Sequence, residues 1–277
     1  MALTEAIAIL SEDDLTGAIA LSAEAGWNQT EDDWRLFLSH GSVFGIFEGQ
    51  TLVASAAIMP YGKEFAWISM VLTRQDRRGN GYGTRLLKHC IAVLESESRT
   101  ALLDATPAGE VLYRKLGFEP VSRFTRWQGM GGGQPSRARA ATQHDQAIAR
   151  ANRAFDADRS HLLANFSERA PALCTFEAAT GLASFGRDGR LATQIGPVTG
   201  PREQIDGAEA EALLASLIDS VEGPVFLDLS DNCRRLADRL AASGFERQRP
   251  FLRMKRGPWT QPQNDIGTAA IAGPEFG

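Results

Sequence analysis

Arg78-Gly79-Asn80-Gly81-Tyr82-Gly83 puts an arginine and three glycines into six residues. Glycine lets the main chain approach a ligand with no side chain in the way, and a helix that starts just after such a turn offers unbonded N–H groups at its positive end. That combination suits a phosphate or pyrophosphate. Charge agrees: from Arg74 to Cys90 the cations Arg74, Arg77, Arg78, Arg85 and Lys88 face Asp76 alone, in a chain whose formal net charge is -5. Two common phosphate loops are excluded by spacing. No GxxxxGK[ST] occurs, and Gly79-x-Gly81-x-x-Thr84 lacks the third glycine of a dinucleotide fingerprint.

Such a loop must sit between a strand and a helix. Phe65 to Thr73 reads as the strand, and Leu86, Leu87, Cys90, Ile91 and Leu94 recur at helical spacing, which predicts a helix over 82–94. Upstream, the pattern predicts a strand at 6–10, a helix after Asp13, a second helix through 34–38, and a hairpin of 43–47 with 52–59. Downstream it predicts a strand at 101–104, a helix over 110–116 closed by Gly117, and a strand over 118–127.

With these flanks the sequence resembles the GCN5-related N-acetyltransferase (GNAT) family, whose pyrophosphate loop follows Arg/Gln-x-x-Gly-x-Gly/Ala, met here by Arg78, Gly81 and Gly83. Ile68-Ser69-Met70-Val71-Leu72-Thr73 is similar to the family's central strand, and Leu112-Tyr113-Arg114-Lys115-Leu116-Gly117-Phe118 to its next motif. The resemblance implies acetyl-CoA as cosubstrate, with Val71, Leu72 and Thr73 along the pantetheine arm and Arg78, Gly79, Asn80, Gly81, Tyr82, Gly83 and Thr84 around the pyrophosphate. It implies direct attack of a primary amine, of a small molecule, on the acetyl group in a ternary complex. A backbone N–H near Leu72 polarises the carbonyl, and Tyr113 protonates the leaving sulfur. The alternative is an acyl-CoA-binding sensor or scaffold without turnover.

The base is less plain, because relatives place a carboxylate on the central strand and Phe65-Ala66-Trp67-Ile68-Ser69-Met70-Val71 has none. Asp104 is the remaining carboxylate; it serves equally well to bond the backbone of the Asp104-Ala105-Thr106-Pro107 turn, and a water relay is a third route. Tyr113 could also simply pack. Trp27 and Trp67 are candidates for the acceptor pocket, since aromatics often line such sites. Strand alternation sets Trp67, Ser69 and Val71 on one face.

The second half echoes the first. Leu103-Asp104, then Gly117-Phe118-Glu119, Phe124 and Arg126 find counterparts in Leu227-Asp228, then Gly244-Phe245-Glu246, Phe251 and Arg253, with identical spacing from Gly to Arg. Gly200-Pro201-Arg202-Glu203-Gln204-Ile205-Asp206-Gly207, however, offers no glycine cradle. The expected architecture is therefore α/β (α+β): tandem GNAT-like folds, each a mixed central sheet flanked by helices. Residues 1–130 form the catalytic, acetyl-CoA-binding domain, 131–136 a glycine-rich linker, 137–257 a degenerate second copy, and 258–277 a tail that either covers the cleft or is unstructured.

Bulk properties narrow the partners. An acidic chain argues against a broad nucleic-acid surface. No apolar run is long enough for a membrane span and no basic-then-apolar leader is seen, so the expected location is cytoplasmic. Cys90, Cys174 and Cys233 are scattered, and the histidines lack ligand spacing, so no metal is expected. The expected partner is a small-molecule amine acceptor, and the chain a monomer or homodimer.

Overall fold

The computed structural model describes residues 6–134 and 144–277; residues 1–5 and 135–143, which include part of the predicted linker and the start of the predicted second domain, lie outside the described residues. Phe65–Thr73 is apolar over most of its length, as suits a strand covered on both faces, and forms β4 in the middle of the first half. It follows β1 (Ile7–Ile9), α1 (Leu15–Glu24), α2 (Glu31–His40), β2 (Ser42–Glu48) and β3 (Thr51–Tyr61). After it come α3 (Tyr82–Ser96), β5 (Thr100–Ala105), α4 (Pro107–Lys115) and β6 (Glu119–Met130).

Local chemistry sets these bounds. Thr30 and Asp33 form a reciprocal capping box that starts α2, whose inward face carries Trp34 and Phe37. α4 begins earlier than predicted because Thr106 caps it and Pro107, lacking an N–H, fits the first turn.

The second half contains α5 (His144–Phe155), α6 (Ser160–Arg169), β7 (Thr175–Glu177), β8 (Leu182–Arg187), β9 (Thr193–Pro201), α7 (Ala208–Ser220), β10 (Pro224–Ser230), α8 (Arg234–Ala242), β11 (Glu246–Arg256) and β12 (Ile266–Ala270). Each half is an antiparallel run followed, across a helix, by one parallel strand: β5 beside β4, and β10 beside β9.

The last strand of each half then crosses to the other. β11 pairs with β5, β6 pairs with β10, and β6 and β11 pair with each other. The result is one 12-stranded sheet in the order β1-β2-β3-β4-β5-β11-β6-β10-β12-β9-β8-β7. The tandem sheets expected from the sequence are thus fused by exchanged strands. Phe124 lies opposite Phe251 at the seam, so the repeated segments meet about a local twofold.

Two ion pairs close the seam. Arg126 of β6 holds Asp228 of β10 at 2.8 and 2.7 Å, and Arg253 of β11 holds Asp104 of β5 at 2.9 Å through each oxygen. Each repeated arginine therefore pairs with the repeated aspartate of the opposite half. Burying these charges is tolerable only because each pair is bidentate.

A core of Trp34, Phe37, Met59 and Trp67 from the first half and Phe155, Leu162, Phe166 and Phe185 from the second is shared between the halves. Phe276 of the tail sits inside it, stacked on Phe37 at 4.9 Å between centroids. Tyr61 donates to the Phe276 carbonyl (2.8 Å) and Trp67 Nε1 to that of Pro274 (3.0 Å).

The predicted glycine joint differs from expectation. Gly129 and Met130 belong to β6, and the N–H groups of Gly131, Gly132, Gly133 and Gln134 donate to the carbonyls of Gly223, Ile218, Val221 and Asp219. A Cβ on Gly131 would lie 2.1 Å from the Val221 carbonyl oxygen, so the glycine there serves close backbone approach.

Candidate active site

β4 and β5 pair only at Phe65, Ala66 and Trp67; beyond Trp67, β4 has no ladder with β5, which keeps β11 on its other edge. A cavity of about 470 Å³ opens at this divergence. Unpaired main chain on β4 can there bond a ligand as a strand would. A bulge accompanies the divergence: one β3 residue, Ala56, faces Met70 and Val71, and Met70 takes φ 52°. Ser55 Oγ fixes the bulge by donating to the Met70 carbonyl at 2.9 Å.

At the outer end of the cavity lie Val71, Leu72, Thr73, Arg78 and Gly83. Gly79 and Gly81 have φ of 84° and 78°, and a Cβ on either would meet nothing within 4 Å. The loop thus needs glycine for its backbone and leaves open space above it, as a pyrophosphate requires. No side chain caps α3 and its first turn carries no acid, so its N-terminal dipole is uncompensated. Asn80 donates to the Arg77 carbonyl (3.1 Å), while Glu48 receives Arg77 (2.6 Å) and Tyr82 (2.9 Å). Arg77 and Tyr82 hold the Glu48 carboxyl below its usual range. Thr84 lies half-buried in the first turn of α3.

Tyr113 reaches the cavity from α4. A Cβ at Gly109 would come within 2.8 Å of its ring, so the glycine one turn earlier lets the ring lie back along the helix. Burial pushes the Tyr113 hydroxyl up to about 12, which keeps it a protonated donor at neutral pH.

The inner end is built from residues distant in sequence. Trp27 and Gln29 come from the α1–α2 connection, Ser69 from β4, Arg249 and Phe251 from β11, and Glu275 from the tail. Asn28 anchors that connection to the second half, donating to the Ala192 carbonyl (2.9 Å) and accepting from the N–H groups of Leu191 and Ala192. Glu275 pairs with Arg187 of β8, which also lies 3.4 Å from Asp33 of α2; Arg169 of α6 meets the same Asp33 at 2.7 Å. Burial raises the Glu275 carboxyl, against the opposing pull of Arg187 and Arg126.

Two sequence expectations change here. Trp67 does not line the cavity: the bulge at Met70 reverses the alternation, so Trp67, Met70 and Leu72 face the shared core while Val71 faces α3 and its neighbours. Trp67 instead packs on Phe155 and beneath Arg253. Asp104 does line the cavity, yet both its oxygens are engaged by Arg253, and burial raises its carboxyl against that arginine. Its structural alternative was bonding the turn backbone; the partner is Arg253, so as a base it would first have to surrender a buried ion pair. Sequence reasoning missed Gln29, Ser69, Arg249 and Glu275, which no motif brings together; the apolar ending of the tail was the one hint of packing.

Among the described residues no cluster of metal-ligating side chains occurs, and no helix is long and apolar enough to cross a membrane.

Comparison with known proteins bears on both halves. Residues 8–118 match the model of the acetyltransferase (GNAT) family, and residues 148–266 match a second acetyltransferase (GNAT) domain model. No curated protein matches. Among solved structures, a Pyrococcus horikoshii protein assigned as an acetyltransferase covers 100% of this chain and 98% of its own, with TM-score 0.77 at 17% identity. A GCN5-related N-acetyltransferase from Sphaerobacter thermophilus covers 91% and 95%, with TM-score 0.64 at 14% identity. A tandem GNAT protein of clavulanic acid biosynthesis covers 92% and 99%, with TM-score 0.60 at 15% identity. At these identities the likeness is one of fold. With a family model on each half, and the split strand, glycine loop and tyrosine in the first, the chain belongs to the GNAT acetyltransferase family as a two-domain member.

Proposed function

We propose that the protein is an acetyl-CoA-dependent N-acetyltransferase that acts in its first half on the primary amine of a small molecule, by direct attack in a ternary complex. The observation that carries this reading is the continuity of one cavity from Arg78 and Gly83, along the unpaired part of β4, to Tyr113. Acetyl-CoA supplies the acetyl carbonyl and the thiol leaving group. Arg78 and the N-terminal N–H groups of α3 hold the pyrophosphate, and the β4 backbone after Trp67 bonds the pantetheine amides. A main-chain N–H of the bulged segment, near Leu72, stabilises charge on the carbonyl oxygen. Tyr113 gives its proton to the leaving sulfur.

In the second half the corresponding divergence of β9 from β10 is filled by β12, which supports a single active site per chain. Thiol release from acetyl-CoA across a panel of primary amines tests the reading. Acceptor-dependent release is expected; CoA binding with no release for any amine would instead favour a sensor.

A further inference from the structure

Four enclosed polar atoms in the inner part of the cavity have no hydrogen-bond partner within the described protein: Gln29 Oε1, Ser69 Oγ, Glu275 Oε2 and Arg249 Nε. Gln29, Ser69 and Glu275 are at most 8% exposed. Other buried polar atoms of the described residues also lack a partner, but these four come from four separate segments and share one cavity, as the complement of a ligand would. Glu275 keeps one oxygen on Arg187 and presents the other, an acceptor, while Gln29 and Ser69 add two more oxygens. Arg249 lies in a register shift of β11, packs 5.2 Å from the Phe251 ring centroid, and makes no ion pair among the described residues. Of the other two arginines that line the cavity, Arg126 is already neutralised by Asp228, and Arg78 belongs to the glycine loop proposed for the pyrophosphate. Away from the glycine loop, the cavity therefore offers three unbonded oxygens and, in Arg249, a cation without an ion pair among the described residues.

We propose that the acceptor is an amino-acid-like zwitterion, whose ammonium is received by Glu275 with Gln29 and Ser69 and whose carboxylate is received by Arg249. This rests on the N-acetyltransferase reading and names its substrate class. A single free guanidinium matches a monoanion, and its planar donors match a carboxylate. In the reaction Glu275 takes one proton from the ammonium. The freed amine nitrogen attacks the acetyl carbon, the N–C bond forms and the C–S bond breaks, and the thiolate gains its proton from Tyr113. The second nitrogen proton returns through solvent to the tyrosine, so that one proton per turnover is released when Glu275 is ionised again.

The carboxyl of Glu275 faces Arg187 of β8, Arg126 of β6, Arg249 of β11, Asp33 of α2 and Tyr61 of β3. Burial outweighs the cations and raises it, so the base is lost as pH falls through a value above the ordinary carboxylate range. Activity should fall on that acid limb.

The test compares α- and ω-amino acids with their methyl esters and decarboxylated amines, by thiol release and by calorimetric titration of the same compounds into the protein saturated with CoA. The expected result is a preference of about tenfold or more in kcat/KM, and in affinity, for the free acids. Arg249→Gln should reduce the acid-to-ester ratio to about one. Glu275→Gln should lower kcat by about 100-fold and remove the acid limb, with a melting curve confirming the fold. Equal turnover and binding of acids, esters and bare amines would overturn the proposal while leaving the acetyltransferase reading intact. No thiol release with any amine would overturn both.

Discussion

β4 and β9 part from their parallel neighbours at equivalent places, after Trp67 and after Ile195, and the two gaps meet opposite fates. In the first half the gap opens to the cavity. In the second, β12 enters it, pairing with β9 from Val198 to Pro201 and with β10 at Leu229. The fit is close: a Cβ on Gly196 would lie 2.1 Å from the Ile271 carbonyl oxygen. The helices after the two gaps differ likewise. α3 has no acid in its first turn, whereas α7 has Glu209 and Glu211 there, which oppose an anion. A diverging strand pair with unbonded backbone must be bonded by something. In one half that backbone faces an open cavity; in the other, β12 of the chain's own tail takes the role. The same tail then continues into the first half and delivers Glu275 to the open cavity.

The comparison is broken most severely at the seam. Asp228→Ala leaves Arg126 buried without a partner and should cost about 3–5 kcal/mol of stability, read from chemical denaturation midpoints. Because Asp104 and Arg253 make the same pair on the other side, Asp104→Ala should cost a similar amount. A markedly smaller loss at either site would show that the twofold seam does not share its load.

Function should separate the halves more sharply than stability does. Tyr113→Phe should lower kcat by about 100-fold with unchanged CoA affinity. A change in affinity alone would make the tyrosine a packing residue.

Charge at the two loops gives the next contrast. Arg78→Glu should weaken CoA binding about 10- to 100-fold, while Arg202→Glu, in the corresponding loop of the second half, should leave it unaltered. Arg202 donates to the Asn264 and Pro262 carbonyls and so helps hold the segment before β12. Weakened CoA binding in the Arg202 variant would place a ligand near the second loop.

The smallest effect concerns the helix that carries Tyr113. Thr106 Oγ1 accepts from the Gly109 N–H at 3.3 Å at the start of α4, whereas α8 has no such cap of its own and uses the Asp206 carboxylate on the N–H groups of Arg235 and Leu236. Thr106→Ala should cost about 1 kcal/mol, measured by thermal unfolding. An effect below a few tenths would mean that packing alone holds α4.

Much of the first half was legible because its signals are local. The spacing of Leu86, Leu87, Cys90, Ile91 and Leu94 specifies α3, and the glycine run before it marks a turn in which Gly79 and Gly81 take positive φ. The repeat was visible too, since Phe124-x-Arg126 and Phe251-x-Arg253 keep their spacing. What the repeat meant was not: nothing in either segment says that Arg126 pairs with Asp228 and Arg253 with Asp104, because that depends on strands exchanged between halves. Trp67 was misplaced for a related reason. Alternation holds until a bulge interrupts it, and the bulge at Met70 is stabilised from another strand by Ser55. Gly131 and its neighbours read as a joint because close backbone contact and flexibility call for the same residue. Glu275 was hidden because its partner, Arg187, lies far away in the chain.

The central claim is that one gap is a cosubstrate site and the other is filled by β12. Calorimetric titration of CoA into the full chain tests it most directly. The account predicts one CoA per chain, with binding strongly weakened by Arg78→Glu. Two CoA molecules per chain, or one whose affinity ignores Arg78, would contradict it.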